Sequence, residues 1–199
     1  MKTVFSFFFL LFFVSEISFS QNKKENRYDD YFRKYSKRFF GIGFDWKVFK
    51  AQGLAESGLM PDARSWVGAI GIMQLMPSTF KDIQSSLPEL QNVNDPQWNI
   101  AAGILYDRQL WKAWSEHETT DERLKFIFGS YNAGKFTITK AQQVAQKENL
   151  DHRYWNNIET IAPKVQQWRH DETLNYVRKI ENYYSALSKR NGFTDFLGK

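Results

Sequence analysis

No stretch of this chain alternates apolar and polar residues long enough to form a strand, whereas helical spacing recurs along it. That contrast constrains the fold more than any other feature. Tyr28, Tyr31, Phe32, Tyr35 and Phe39 fall at i, i+3, i+4, i+7 and i+11, lining one helical face. Gly41-Ile42-Gly43 interrupts it. Asp45 is placed to N-cap a second helix that carries Trp46, Phe49 and Leu54 and ends near Gly58, before a loop over 59–66. Asp95-Pro96 reads as an N-cap followed by proline at the first helical position, opening a helix to about Trp114. Thr119 and Glu122 have capping-box spacing; Leu124, Ile127, Phe128 and Tyr131 continue that helix, and Gly134 stops it. A last helix begins near Asp171, with Tyr176, Ile180, Tyr183 and Leu187 on one stripe. The expected fold class is mainly α: one compact helical domain over 28–190, without internal repeats.

Composition enters at the N-terminus. Seven of the 18 phenylalanines lie before residue 20, within or beside an apolar run from Val4 to Val14. Eleven residues are too few to span a bilayer, for which about 20 are needed, but suit the core of a signal peptide. Ser18 and Ser20 set a cut after residue 20, with an uncleaved anchor as the other reading. Residues 21–27 are then a polar tail, and 191–199 a C-terminal tail. The expectation is an exported protein of the periplasm or cell envelope, with peripheral membrane or cell-wall association possible on either reading. Removing residues 1–20 loses Lys2 and Glu16 together, so the net charge of +5 is unchanged. A mild positive charge suits an anionic polymer but is a weak guide to partners, and no nucleic-acid motif accompanies it.

Much chemistry is excluded. With no cysteine, thiol nucleophiles, disulfides and cysteine-held zinc are unavailable. His117, His152 and His170 lack ligand spacing, so neither a metal nor a cofactor is expected. Gly129-Ser130-Tyr131-Asn132-Ala133-Gly134-Lys135 imitates a phosphate loop, but Phe136 stands where Ser or Thr is needed and no strand precedes it.

What remains is Glu56, four uncharged residues from Gln52 to Ala55 before it, and the charge-free stretch from Gly68 to Pro77 soon after. A glutamate on an amphipathic helix is usually a solvated charge. In an apolar pocket its ionised form is desolvated instead, its pKa rises, and it becomes a proton donor suited to glycosidic bonds.

Ala55-Glu56-Ser57-Gly58 followed by Gly68-Ala69-Ile70-Gly71-Ile72-Met73-Gln74-Leu75-Met76-Pro77 resembles the first two signatures of the soluble-type (SLT) lytic transglycosylases. Ser130-Tyr131-Asn132-Ala133-Gly134 resembles the third, and Glu172-Thr173-Leu174-Asn175-Tyr176-Val177 the last. The four stand in family order across about residues 28–187. The resemblance implies a lysozyme-like helical fold and action on peptidoglycan glycan strands, by a chain expected to be a monomer.

It also implies Glu56 as the single catalytic acid, later base, that splits the bond between N-acetylmuramic acid and N-acetylglucosamine. The muramic acid's own C6 hydroxyl would close a 1,6-anhydro ring, consuming no water. Ser65, Gln74, Met76, Tyr131, Asn132 and Tyr176 match positions that hold the sugar or line the cleft. Each keeps a structural alternative: Tyr131 and Tyr176 as core tyrosines, Asn132 as a helix-end partner, Gln74 as a turn cap. Ser57 could orient Glu56 or face solvent. Trp66, Trp155 and Trp168 could stack on sugars or fill the core. A goose-type lysozyme that hydrolyses the same bond, and a silent wall-binding module, are the competing functions.

Overall fold

The computed structural model describes residues 26–116 and 119–194, with side chains described to residue 189. The expected signal peptide lies outside the described residues, as do residues 21–25 of the polar tail.

Helix α1 spans Asp29–Phe40 and buries Phe32 and Tyr35 from the aromatic stripe. Helix α2, Lys47–Ser57, has eight of its eleven residues buried. Asp45 bonds the amide of Lys47 at 3.0 Å, while Trp46 occupies the cap position itself. After α3 (Pro77–Ser86) comes α4 (Pro96–Ala113), whose cap Asp95 accepts from the amides of Gln97 and Trp98 as expected. Helix α5 runs Thr120–Ala133, α6 Lys135–Lys147, α7 Trp155–Ile161 and α8 His170–Thr194, with a 3₁₀ turn at Ala162–Lys164. Helix α8 thus runs past the expected domain boundary at residue 190. Among the described residues the only β pairing is two isolated bridges, Arg64 with Ile70 and Ile70 with Leu75.

Helix α2 forms a partition between two cores. On one side, α1, α3 and α4 enclose Phe32, Phe49, Ile72, Met73, Ile100 and Ile104. On the other, α5 to α8 enclose Phe126, Ile127, Trp155, Ile158, Val177 and Ile180 around Ala51 and Ala55. A helix buried on all sides must pair its polar groups, because an unpaired buried charge is costly. Lys50 does so by donating to Asp29 at the start of α1, at 2.6 Å.

Three helices were not anticipated, and each has a weak signal. In α6 the buried positions are Ile138, Ala141, Gln142 and Ala145, a stripe with one large apolar residue, two alanines and a polar side chain. Helix α7 has seven residues, under two full turns, and α3 starts with the proline that ends a family-like motif. The capping box of α5 is half formed. Thr119 accepts from the Glu122 amide at 3.2 Å, but the Glu122 carboxylate accepts from the amide of Trp155 at 2.5 Å, tying α5 to the start of α7.

Candidate active site

Glu56 sits in the last turn of α2, which Gly58 ends with φ 63°. The helix end is short of polar solvent contact on one side because α8 packs along it. Tyr176, one of the stripe residues of α8, is 8% exposed and donates its hydroxyl to Glu56 Oε1 at 2.5 Å. Three residues on, Lys179 donates to the carbonyl oxygen of Ala55 at 2.8 Å, which brings its charge near the carboxyl. Glu56 keeps some exposed surface, yet the atoms around it desolvate the carboxyl. Burial lifts its pKa to about 8, against the opposing pull of the Tyr176 hydrogen bond and the Lys179 charge. Near neutral pH it is therefore a carboxylic acid.

The segment over 58–76 is built as a tied loop. Ser57 is buried and neither orients Glu56 nor faces solvent: its hydroxyl donates to the carbonyl of Ile72 at 2.9 Å and accepts from the Met60 amide at 3.1 Å. From α4, Asn99 donates to the carbonyls of Ile70 and Val93 and accepts from the Met73 amide at 2.7 Å. This close approach explains Gly71. A Cβ there would stand 2.5 Å from Asn99 Nδ2, and its φ of 78° disfavours any other residue. Tyr131, on α5, donates to the carbonyl of Met73 at 2.8 Å and stacks at a tilt on Tyr106, with ring centroids 5.2 Å apart. Its pKa is pushed well up by burial and by the carboxyl of Glu56.

Of the residues singled out by sequence, Tyr176 touches Glu56 directly and Tyr131 lies within its electrostatic reach. The others are held on neighbouring surfaces, without a hydrogen bond to Glu56. Ser65 accepts from the Ala69 amide at 2.9 Å, inside the loop. Gln74 has φ 44° and uses its amide nitrogen on the carbonyls of Gly71 and Ala63, the turn-holding alternative. Met76 is exposed at the start of α3. Asn132 accepts from Thr173 at 2.8 Å, and Thr173 accepts from Trp168 Nε1 at 3.0 Å. This chain lines an open polar pocket of about 210 Å³ shared with Thr137, Gln167, Arg169 and Glu172. The tryptophans divide cleanly. Trp155 and Trp168 are 2% and 8% exposed and belong to the core, whereas Trp66 is 88% exposed on the loop.

Sequence reasoning missed Lys179, Asn99, Gln52 and Asp107. Lys179 alone had a local signal, its position one turn after Tyr176. Asp107 was visible as a lone acid in the apolar helix Pro96–Ala113, but nothing local said that it points inward.

Among the described residues the domain is helical, with a glutamate of raised pKa at the end of a buried central helix, an arrangement that fits the lysozyme-like class. The transglycosylase SLT domain family matches residues 30–154, well over half of the chain. The chain belongs to this family.

Among similar proteins, the membrane-bound lytic murein transglycosylase F of Shewanella pealeana is 27% identical over 177 residues, covering 83% of this chain and 35% of the relative. That of Maricaulis maris is 28% identical over 178 residues, covering 84% and 38%. The chain therefore spans a little over a third of the length of these curated relatives. The solved Slt lytic transglycosylase of Pseudomonas aeruginosa, an inactive glutamate-to-glutamine mutant, has a TM-score of 0.66 at 23% identity, covering 84% of this chain and 25% of that one. The 70 kDa soluble lytic transglycosylase of Escherichia coli has a TM-score of 0.59 at 22% identity, covering 81% and 24%. At such identities these structures speak to the fold, which is lysozyme-like.

Proposed function

We propose that this protein is a lytic transglycosylase that cleaves the β-1,4 bond between N-acetylmuramic acid and N-acetylglucosamine in peptidoglycan, without water. One observation carries the reading: Glu56 is a carboxylic acid with pKa about 8, and its Oε1 is already occupied by the Tyr176 hydroxyl. The acid proton therefore belongs on Oε2, free to be delivered.

In the first half of the reaction Glu56 protonates the leaving C4 oxygen of N-acetylglucosamine as its bond to C1 of the muramic acid breaks. The carboxylate left behind is stabilised by the Tyr176 hydrogen bond and by the charge of Lys179. In the second half that carboxylate removes the proton of the muramic acid C6 hydroxyl, whose oxygen attacks C1. The 1,6-anhydro ring closes and Glu56 recovers its proton, so the residue ends as it began and the atoms balance.

Ordinary glycosidases of either stereochemistry use two carboxylates flanking the sugar. Here the other nearby carboxyl, Asp107, has no exposed surface and is unable to reach a sugar or activate a water. That supports the internal nucleophile over hydrolysis. Tyr131, Ser65, Gln74 and the Met76 backbone belong in this reading to the scaffold of the cleft. Asn132 faces the polar pocket beside it, and exposed Trp66 offers an aromatic face to a pyranose. The names of the membrane-bound relatives are consistent with a place in the bacterial envelope. No described helix is long and apolar enough to cross a membrane.

The test is a digest of purified peptidoglycan by the protein and by its Glu56→Gln variant, followed by mass spectrometry. Fragments ending in anhydro-muramic acid, absent with the variant, are expected. Reducing ends would assign the goose-type lysozyme reaction instead, and no fragments from either protein would leave a wall-binding module.

A further inference from the structure

Behind Glu56 lies a buried carboxyl that the reaction above does not use. Asp107, in the middle of α4, is 0% exposed, and so is Gln52 on α2. Gln52 precedes Glu56 by four residues, so the two side chains share a face of α2. Gln52 Nε2 donates to Asp107 Oδ1 at 3.2 Å. The same pair holds two buried oxygens without a partner, Asp107 Oδ2 and Gln52 Oε1.

Both leftover atoms are acceptors if Asp107 is ionised, and each then carries the desolvation cost of a buried polar atom without a partner. A single proton on Oδ2 resolves both. A carboxylic acid beside a primary amide closes a ring of two hydrogen bonds, N–H to C=O and O–H to C=O. The two atoms that ring requires are the two left over here.

No cation opposes this assignment among the described residues. Lys50 is turned to Asp29, Arg108 lies over the ring of Phe40, and Lys179 is engaged with Ala55. The titratable groups that do act on the neighbourhood are Glu56 from α2, Tyr106 from α4 itself, Tyr131 from α5 and Tyr176 from α8. None is positive. Helices α1 and α3 meet this core through Phe32, Tyr35, Phe80 and Ile83. Burial and the nearby Glu56 both push the carboxyl of Asp107 upward, against the Gln52 hydrogen bond.

We infer that Asp107 is a positioning residue, held as a neutral acid and paired through both oxygens with the Gln52 amide, on the face of α2 that carries Glu56. The pair fixes the rotation of α2 about its axis and hence the direction of Glu56. Its neutrality also matters to the proposed reaction. Glu56 must become a carboxylate midway through, and a second negative charge beside it would oppose that step. A neutral Asp107 leaves only one.

The catalytic part of this inference rests on the transglycosylase reading, so one readout is chosen that does not. Infrared difference spectra of the wild type against Asp107→Asn and against Glu56→Gln, recorded from about pH 6 to 9, report protonated carboxyls directly. Two acid carbonyl bands are expected. One disappears in Asp107→Asn and persists to the top of the range; the other disappears in Glu56→Gln and titrates near pH 8. Absence of the first band overturns the inference, even if the protein never cleaves peptidoglycan.

Turnover supplies the second arm. Asp107→Leu, which leaves the Gln52 amide unpaired, should lower kcat roughly tenfold with KM little changed. Asp107→Asn should restore most of that loss and leave the alkaline limb of the pH profile in place. A limb displaced downward by about one unit in Asp107→Asn would mean that a charge had been removed, and would overturn the inference. So would wild-type kcat in folded Asp107→Leu. If the leucine variant does not fold, the asparagine variant and its spectrum still decide.

Discussion

Glu56 stands between two regions built on opposite terms. On the helix side, α2, α4, α5 and α8 surround it with buried Tyr176 on its oxygen, half-buried Tyr131 and buried Asp107 behind, and exposed Lys179 one turn on from Tyr176. On the loop side, the segment over 58–76 exposes Met60, Trp66, Val67 and Met76, while its backbone is tied down by Ser57, Asn99 and Tyr131. The helix side sets the proton affinity of the acid. The loop side presents an exposed surface on a hydrogen-bonded backbone, along which the proposed polymer would lie. In the proposed reaction chemistry and recognition are thus separable, and substitutions on the two sides should fail in different ways.

The largest effect belongs to Glu56→Gln, which should lower activity by about 10²–10⁴-fold with the fold retained. The same variant should melt higher than the wild type at pH 8. The wild-type carboxyl has a folded pKa of about 8, above its ordinary value of 4.5, so the stability it contributes is full below pH 4.5 and falls as pH rises to 8. The glutamine gains accordingly across that window, by roughly 10 °C at its top, whereas at pH 4 the two should melt together. Equal melting at both pH values would mean that the acid is not desolvated.

Tyr176→Phe comes next. It removes the hydrogen bond that favours the carboxylate, so turnover should fall about 10–100-fold and the alkaline limb should move upward. A downward shift would contradict the donor role given to the hydroxyl. On the loop side, Gly71→Ala forces a Cβ against Asn99 and strains a left-handed backbone, which should cost about 1–3 kcal/mol in chemical unfolding. Its residual activity should keep the wild-type pH profile, since the hydrogen bond and the charge that act on Glu56 both come from α8 rather than from the loop. Trp66→Ala should be the mildest, raising KM for glycan strands several-fold while kcat and melting temperature stay put. If Trp66→Ala changed the pH profile, or Tyr176→Phe changed only KM, the division between the two sides would break down.

Legibility in the sequence follows the same division. Helices with a strong stripe or a cap, such as the aromatic face of α1 and the Asp95-Pro96 start of α4, could be read because their signals are local. Helix α6 was invisible since alanines at its buried positions give little contrast, and Glu122 left its expected capping partner for the amide of Trp155. At the candidate site, the family-like motifs pointed to Glu56 and Tyr176, and the folded chain sets their oxygens 2.5 Å apart. Which tryptophan is exposed was open until packing took Trp155 and Trp168 into the core. Lys179 and Asp107 act on Glu56 across helix contacts, and Gln52, though on Glu56's own helix, finds its partner Asp107 only across one.

The proposed reaction needs only one protonated glutamate and the substrate's own hydroxyl. It is tested most directly by digesting peptidoglycan in water enriched in heavy oxygen and weighing the muramic acid ends. Anhydro ends that carry no heavy oxygen from the solvent are expected. Muramic acid ends carrying one solvent oxygen each would contradict that reaction.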